Sequence, residues 1–174
     1  RQRERLGEAL ATADLLVRAA TVHLEQVDPT DPDARTAVQR YFDELDRRFD
    51  GGFDPGTGDD PGLYRPPHGT FVVARSDGDP VACGAVQPLG EGVAEIKRMW
   101  VRDDWRGAGL GARMLRRLED DAHAAGHTVV RLDTNSVLTD AIAMYERSGY
   151  HRIDRYNDNP YAQAWFEKPL TAPR

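Results

Sequence analysis

A glycine-rich turn between a strand and a helix is the part of this sequence whose residue types and spacing best suit chemistry. Residues 94–111 read AEIKRMWVRDDWRGAGLG, with a strand-like first half and the turn in the last six positions. The helix after it has an apolar face. Glycines let the backbone approach an anion closely, and the N–H groups of a first helical turn point at that anion. The stretch therefore predicts a phosphate-binding site.

The spacing of the glycines decides between phosphate-binding motifs. It matches neither G-x-x-x-x-G-K-[ST] nor G-x-G-x-x-G, so the P-loop and the dinucleotide-binding fingerprint are both excluded. Arg106, Gly109 and Gly111 instead stand at the three defining positions of R/Q-x-x-G-x-G/A. In this the chain resembles the GNAT family of N-acetyltransferases, and the resemblance covers residues 21–170, most of the chain.

The resemblance implies a co-substrate and the residues that hold it. In that family the turn binds the pyrophosphate of acetyl-CoA, and the strand before the turn offers backbone groups to the pantetheine arm and the thioester. Acetyl-CoA is therefore the expected acetyl donor here. The residues expected to contact it are Met99, Trp100, Val101, Arg106, Gly107, Ala108, Gly109, Leu110, Gly111, Ala112, Asn135 and Tyr145.

Tyr145 is the candidate general acid. It lies in AIAMYERSGY, which resembles the family's A-x-x-x-Y-E-x-x-G-F/Y helix, where the tyrosine hydroxyl protonates the leaving thiolate. The alternative is a core tyrosine, because Ile142 and Tyr145 share one helix face. Many members of the family carry Asn three residues before the Ala of this motif. Leu138 stands there instead, which makes Asn135 and Thr139 the candidates to replace that contact.

Glu95 is the candidate general base. In the histone-modifying members of the family, a Glu in the A-E-I segment of this strand accepts the amine proton through water, and Ala94–Glu95–Ile96 stands at the matching distance before the turn. Burial in a cleft would raise its pKa toward the working pH. The alternative is a solvated surface carboxylate in an enzyme with no dedicated base. His68 and His151 are weaker rivals for the role.

The order of predicted elements matches the fold that the resemblance implies. That fold is α/β, with a mixed central sheet of about six to seven strands flanked by helices and a parallel pair that splays at the cofactor site. Helices are predicted at residues 1–20, 31–49, 110–125 and 139–148. Strands are predicted at residues 21–27, 71–75, 80–87, 93–101, 129–133, 151–156 and 161–168.

A loop rich in Gly, Pro and Asp occupies residues 50–69, between the predicted first helix of the domain and its second strand. In GNAT folds the segment between the first two strands lines the acceptor site. By this resemblance Asp50, Asp54, Asp59 and Asp60 would place negative charge beside the acceptor. The alternative is a solvated loop with no role in substrate binding.

The chain divides into a helix at residues 1–20 and an acetyltransferase domain at residues 21–174. The segment RQRERLGEALATADLL resembles the last helix of MarR-type winged-helix regulators, which packs against a partner subunit. The resemblance implies an upstream fused DNA-binding domain and a homodimer. The alternative is an ordinary N-terminal helix of a free-standing enzyme. Its apolar face is formed by Leu6, Leu10, Ala13, Leu16 and Val17.

Composition limits the remaining function classes. The chain has 174 residues, of which 40% are apolar and 30% charged, as expected for one soluble domain. No apolar run approaches the ~20 residues of a membrane span, and no stretch has the pattern of a signal-peptide h-region. The single cysteine, Cys83, favours a cytoplasmic setting, and the net charge of −6 disfavours binding of nucleic acid or anionic membrane. His and Cys lack metal-ligand spacing, so no metal is expected.

These features together predict an enzyme that transfers acetyl from acetyl-CoA to a primary amine within one ternary complex. Such a transfer needs a base for the amine, a donor for the oxyanion and an acid for the departing thiolate. A small-molecule amine and a peptide or protein amine both remain open as acceptors. The alternative is an acyl-CoA or metabolite sensor attached to a MarR-type regulator, with little turnover.

Overall fold

The computed structural model describes residues 1–56 and 60–172. The four α-helices are α1 (Gln2–Thr21), α2 (Pro32–Arg48), α3 (Leu110–Ala124) and α4 (Thr139–Arg147). The strands are β1 (Leu24–Gln26), β2 (Thr70–Ser76), β3 (Asp79–Gly90), β4 (Val93–Val101), β5 (Val129–Thr134), β6 (His151–Ile153) and β7 (Ala164–Pro169). Short 3₁₀ helices occupy Pro61–Tyr64 and Asp103–Trp105.

The strands form one seven-stranded sheet in the order β1-β2-β3-β4-β5-β7-β6. Within the described residues, β4 and β5 pair in parallel, and the other neighbouring strands pair antiparallel. The parallel pair follows from the crossover through α3, because parallel neighbours need a long connection. The predicted α/β fold with a mixed, helix-flanked sheet is confirmed.

Two apolar cores lie on opposite faces of the sheet. On one face α3 packs its apolar residues, among them Met114 and Leu118, against the middle strands, and Tyr145 of α4 joins this core. On the other face α2 packs Ala34 and Ala37 against Phe71 and neighbouring strand residues. The three-layer arrangement leaves the carboxyl end of β4 between α2 and α4.

The parallel strands separate at the carboxyl end of β4. Pairing between β4 and β5 runs from Val93 to Glu95 on β4 and stops there. The register of β4 with β3 also shifts beyond Lys97, and Arg98 has a positive φ of 56°. A bulge of this kind leaves backbone groups outside the ladder and re-aims the side chains that follow. The last residues of β4 therefore line an opening in the sheet.

Several predicted boundaries differ from the structure for local reasons. The first strand begins at Leu24 and not at residue 21, because the Thr21 hydroxyl donates back to the Val17 carbonyl and extends α1. The sixth strand ends at Ile153, since Asn157 and its neighbours turn toward the middle of the sheet. The predicted loop at residues 50–69 contains the 3₁₀ helix at Pro61–Tyr64.

Within residues 1–56 and 60–172, helix α1 is attached to the domain through its carboxyl end. The Arg113 guanidinium donates to the carbonyls of Ala19 and Val22, and Ala19 is fully buried. Leu6 and Leu10 are 61% and 62% exposed, so the predicted apolar face of α1 does not pack on this domain. Among the helices of residues 1–56 and 60–172, none combines the length and apolar character of a bilayer span.

Candidate active site

The glycine-rich turn carries β4 into α3 through two left-handed residues. Gly107 has φ 76° and Gly109 has φ 86°, a region that L side chains rarely adopt. Gly109 is the N-cap of α3, and no side chain caps this end. The first N–H groups of the helix, from Leu110 to Ala112, therefore have no partner within the helix and face an anion site.

A cleft of about 520 Å³ runs from this turn along the end of β4 and between α2 and α4. We call it the large cleft. Nine of the predicted cofactor residues line it: Met99, Trp100, Val101, Arg106, Gly107, Gly109, Gly111, Ala112 and Tyr145. Two helices close its sides with Tyr41, Glu44, Leu45 and Arg48 from α2 and Ala141, Ala143, Met144 and Arg147 from α4.

Arg106 holds the turn to α2. Its Nη2 lies 2.7 Å from both carboxylate oxygens of Glu44, and its Nε donates to the Val101 carbonyl at 2.8 Å. Trp100 Nε1 also donates to Glu44, at 3.0 Å. Burial alone would raise the pKa of Glu44, but the bonds and charge of Arg106, with those of Trp100 and Arg48, lower it overall. The positive charge of Arg106, a residue expected to contact acetyl-CoA, is thus already paired with the Glu44 carboxylate.

We expect Glu44→Gln to lower the free energy of unfolding by about 1–3 kcal/mol, because Arg106 and Trp100 both lose a charged acceptor. Denaturant unfolding measures the loss. Asp43→Asn, on the next and exposed residue of α2, is the control and should change stability by no more than about 0.5 kcal/mol. Equal stability of the two variants would contradict this role for Glu44.

An inner pocket of about 100 Å³ lies beyond the large cleft, in the opening between β4 and β5. Tyr145, Met99, Tyr41, Leu45, Leu138 and Ala141 line both spaces. The remaining lining residues are Phe49, Phe53, Ile96, Lys97, Arg98, Leu132, Asp133, Thr134, Asn135, Asn159, Tyr161 and Ala162. The cleft and the pocket therefore meet at Tyr145 and Met99.

Tyr145 stands at that junction and is 5% exposed. Its ring packs against Tyr150 and Phe166, which fixes its position on α4. Burial raises the pKa of its hydroxyl above the usual range, and the charges of Tyr41 and Asp133 add to this shift. A hydroxyl with a raised pKa remains protonated at neutral pH, so Tyr145 is suited to donate a proton and not to accept one.

Glu95 lies behind the inner pocket and is not among its lining residues. It is 3% exposed, at the last parallel pair of β4 and β5. Its carboxylate accepts from the Tyr156 hydroxyl at 2.9 Å and from Gln87 Nε2 at 2.7 Å. Lys97 Nζ lies 3.5 Å from it. A proton could pass from the pocket to Glu95 only through an intermediary, so its role as the base stays a prediction.

Three predicted cofactor residues lie outside the large cleft. Leu110 is 1% exposed and belongs to the core, and Ala108 packs against that core. Asn135 lines the inner pocket instead, where its Nδ2 donates to the Tyr161 carbonyl at 2.8 Å and its Oδ1 accepts from the Val137 N–H. Leu138, in the place of the family's Asn, contributes an apolar wall. Thr139 is exposed.

The described acidic residues of the loop do not line the inner pocket. Asp50, Asp54 and Asp60 are exposed, and Asp60 Oδ1 accepts from the Gly62 N–H at the start of a 3₁₀ helix. Asp59 lies outside the described residues. From this loop Phe53 lines the pocket, a contribution that the sequence did not indicate. His68 and His151 are exposed as well.

The turn, the cleft and the junction with the inner pocket are the features of a transferase whose donor carries phosphate at one end and its reacting group at the other. The uncapped N-terminus of α3 suits the phosphates. The edge of β4 from Met99 to Val101, past the last pair with β5, suits an extended arm that needs backbone hydrogen bonds. No group of His, Cys, Asp and Glu in the described residues is placed to hold a metal ion.

Comparison with known proteins gives the family. The profile of the acetyltransferase (GNAT) family matches residues 23–150. The chain is 37% identical over 142 residues to an IAA acetyltransferase of Azospirillum brasilense, an alignment that covers 77% of this chain and 91% of that protein. A solved structure from Klebsiella pneumoniae subsp. pneumoniae, assigned as an acyl-CoA N-acyltransferase, superposes with a TM-score of 0.69 at 28% identity and covers 87% and 99% of the two chains.

The chain therefore belongs to the GNAT family and is an acetyltransferase. An acetyltransferase structure from Streptococcus agalactiae has a TM-score of 0.74 at 20% identity over 86% of this chain and 98% of that one, a likeness that shows the fold alone. GNAT acetyltransferases generally use acyl-CoA, and the residues of the turn and the large cleft fit that group. The family assignment made from the turn is confirmed, and the upstream MarR domain stays a prediction.

Proposed function

We propose that the chain binds acetyl-CoA in the large cleft and transfers the acetyl group directly to a primary amine in the inner pocket. The junction of the two spaces at Tyr145 and Met99 carries this proposal, because it allows donor and acceptor to meet within one complex. When bound, the thioester supplies an activated acetyl carbon. The acceptor is a small-molecule or peptide amine.

The residues of the chain have separate roles in this proposal. The N-terminus of α3 binds phosphate, and the edge of β4 from Met99 to Val101 orients the extended arm. Tyr145 holds a proton at its hydroxyl and gives it to the sulfur as the carbon–sulfur bond breaks. Glu95 accepts the proton of the amine through water. In net, a carbon–nitrogen bond replaces the carbon–sulfur bond, and one proton of the neutral amine moves to sulfur. An acceptor that binds as an ammonium ion first releases one further proton to solvent.

Initial-rate kinetics test the direct transfer. With acetyl-CoA and an amine varied together, a ternary complex gives intersecting double-reciprocal lines. Parallel lines, together with acetylated protein by mass spectrometry after incubation with acetyl-CoA alone, would indicate a covalent acetyl-enzyme and contradict the proposal. The buried and hydrogen-bonded state of Cys83 supports the first outcome, since burial raises the pKa of this thiol.

A second candidate function is an acyl-CoA or metabolite sensor attached to a MarR-type regulator. The observation that favours it is the exposed apolar face of α1, including Leu10 at 62% and Val17 at 62% exposure, which suits packing against another domain or subunit. A sensor would bind acetyl-CoA with little turnover. Substitution of Tyr145 would then leave its function unchanged.

A further inference from the structure

Among the described residues that line the inner pocket, Asp133 is the carboxylate placed to meet a cationic acceptor. Asp133 lies on β5, beyond the last parallel pair with β4, and its side chain is 7% exposed. Asn159 Nδ2 donates to its Oδ1 at 3.0 Å, and Asn157 Nδ2 donates to its Oδ2. A carboxylate has about four acceptor sites, so two amide donors fix its orientation and leave capacity for a ligand.

The two buried carboxylates of this region face different surroundings. Asp133 lines the inner pocket with Tyr145, whereas Glu95 does not. Burial is the main cause of the raised pKa of Tyr145, and among the nearby charges Asp133 adds to it. The charge of Glu95 instead raises the pKa of Tyr64 and the pKa of Tyr156. Asp133 is therefore the carboxylate nearer to the place where the acetyl group would react.

Asp133 shares its neighbouring ammonium group with a second carboxylate. Lys97 Nζ lies 3.5 Å from Glu95 and 3.9 Å from Asp133, so two carboxylates share one ammonium group. Arg98 also lines the pocket, but its guanidinium lies over the ring of Phe42, 4.6 Å from the centroid. Glu95 and Asp133 carry two negative charges and Lys97 and Arg98 two positive ones, so the cluster has no net formal charge. Asp133 shares Lys97 with Glu95, and an ammonium ligand would give it an ionic partner closer than Lys97.

Three aromatic rings in contact with one another also line the pocket. Tyr161 lies 4.8 Å from Phe53 and 5.7 Å from Phe49, and Phe49 lies 5.9 Å from Phe53, as distances between ring centroids. The Tyr161 hydroxyl accepts from the Asp54 N–H, which ties this wall to the loop after α2. We call these three rings the aromatic wall. Such a surface favours flat apolar groups, because aromatic rings stack at these distances.

The volume of the inner pocket limits the size of the group that can bind beside the aromatic wall. That volume is about 100 Å³. This is smaller than the engineered cavity of about 150 Å³ that binds benzene, so the pocket can enclose at most a single ring. Among the described residues that line the pocket, Asp133 is the one carboxylate, so the second ammonium group of a polyamine would have no carboxylate partner among them. The described lining therefore combines one carboxylate with an aromatic surface.

We propose that the acceptor is a primary alkylamine carried on an aromatic body, with its ammonium group on Asp133 and its ring against the aromatic wall. This inference rests on the proposed acetyl transfer and names the class of its acceptor. Asn157 and Asn159 are positioning residues, since they orient Asp133 and do not themselves meet the reacting nitrogen. The aromatic wall then determines specificity for the ring, and Asp133 fixes the position of the amine.

Steady-state acetylation of 2-phenylethylamine, ethylamine and putrescine tests this class. We expect kcat/KM for 2-phenylethylamine to exceed that for ethylamine by about tenfold or more, because only the first amine fills the apolar end. Phe53→Leu should raise KM for 2-phenylethylamine and leave KM for ethylamine unchanged. Phe42→Leu is the control, since Phe42 touches Phe53 at 5.3 Å between centroids without lining the pocket.

Asp133→Asn provides a second, independent variant. It should raise KM for 2-phenylethylamine and for ethylamine alike by about tenfold, because both lose their ionic partner, while the Kd of acetyl-CoA stays the same. An equal or better rate with ethylamine or putrescine would overturn the aromatic class, and so would a Phe53→Leu variant with unchanged KM for 2-phenylethylamine. An unchanged KM in Asp133→Asn would overturn the ammonium site.

Failure of this inference and failure of acetyl transfer give different results. Acetylation of putrescine or of lysine peptides, with none of 2-phenylethylamine, overturns the acceptor class and leaves the proposed function standing. Binding of acetyl-CoA with no acetylation of any amine counts against both proposals. Acetylation of 2-phenylethylamine in preference to the other amines supports both.

Discussion

Tyr145→Phe should reduce kcat by about a hundredfold or more and leave the Kd of acetyl-CoA unchanged. The substitution removes one hydroxyl at the junction of the large cleft and the inner pocket and keeps the ring that packs on Tyr150 and Phe166. The departing thiolate would then have no proton donor at this position. Single-turnover rates measured beside equilibrium binding of acetyl-CoA separate chemistry from affinity.

Tyr150→Phe is the matched control for this experiment. Tyr150 is 4% exposed, and its hydroxyl donates to Glu119 Oε1 at 3.0 Å, away from both cavities. Its loss should lower stability, since Glu119 loses a buried donor, and leave kcat within about twofold. Equal kcat values for wild type and Tyr145→Phe would remove Tyr145 from the mechanism and favour the sensing function.

Gly111→Val should weaken acetyl-CoA binding by about tenfold or more. Gly111 lines the large cleft at the start of α3, where an added Cβ would lie 3.0 Å from Met144 Sδ and 3.7 Å from Val101 Cγ2. Two further methyl groups would fill the space between the turn and α4. Isothermal titration calorimetry with acetyl-CoA measures the loss.

Gly7→Val gives the corresponding change at a helical glycine with open space around it. An added Cβ at Gly7 meets nothing within 4 Å, and Gly7 lies far from the turn on the exposed part of α1. We expect it to bind acetyl-CoA as the wild type does. If Gly111→Val also binds with unchanged affinity, the donor does not occupy the cleft beside α4.

The parts of the site that the sequence predicted are local in the chain. The turn is recognisable because Arg106, Gly109 and Gly111 lie within six residues, and their geometry depends on glycine conformation. Strand β4 has the bounds predicted for it, residues 93–101, because glycine and the turn mark its ends. Tyr145 lies at the junction of the cavities on a helix that begins at the predicted residue, Thr139.

The inner pocket could not be predicted in the same way. Phe49 and Tyr161 are more than a hundred positions apart, and their contact follows from the placement of α2 over the carboxyl end of β5. The bulge at Arg98 has no local signal, because a non-glycine residue with positive φ is held by the surrounding structure. Asp133 lies in β5, where partly buried and buried residues alternate. This alternation predicts which face of the sheet Asp133 lies on, but it does not predict a pocket there.

For helix α1, the sequence pattern predicted the helix but not the surface that its apolar face contacts. Its apolar stripe predicted a helix, and the helix is present at Gln2–Thr21. A stripe indicates that a face suits burial, but it carries no information on what covers that face. Of the predicted stripe, Leu16 and Val17 are 48% and 62% exposed in this domain.

Release of free thiol from acetyl-CoA, measured across a panel of amines, tests the central claim most directly. The panel contains aromatic alkylamines, polyamines, amino acids, aminoglycosides and lysine peptides, and mass spectrometry identifies each N-acetyl product. We expect thiol release that depends on the acceptor, matches the product one to one and collapses in Tyr145→Phe. Acetyl-CoA binding without thiol release from any acceptor, in wild type and variant alike, would contradict it.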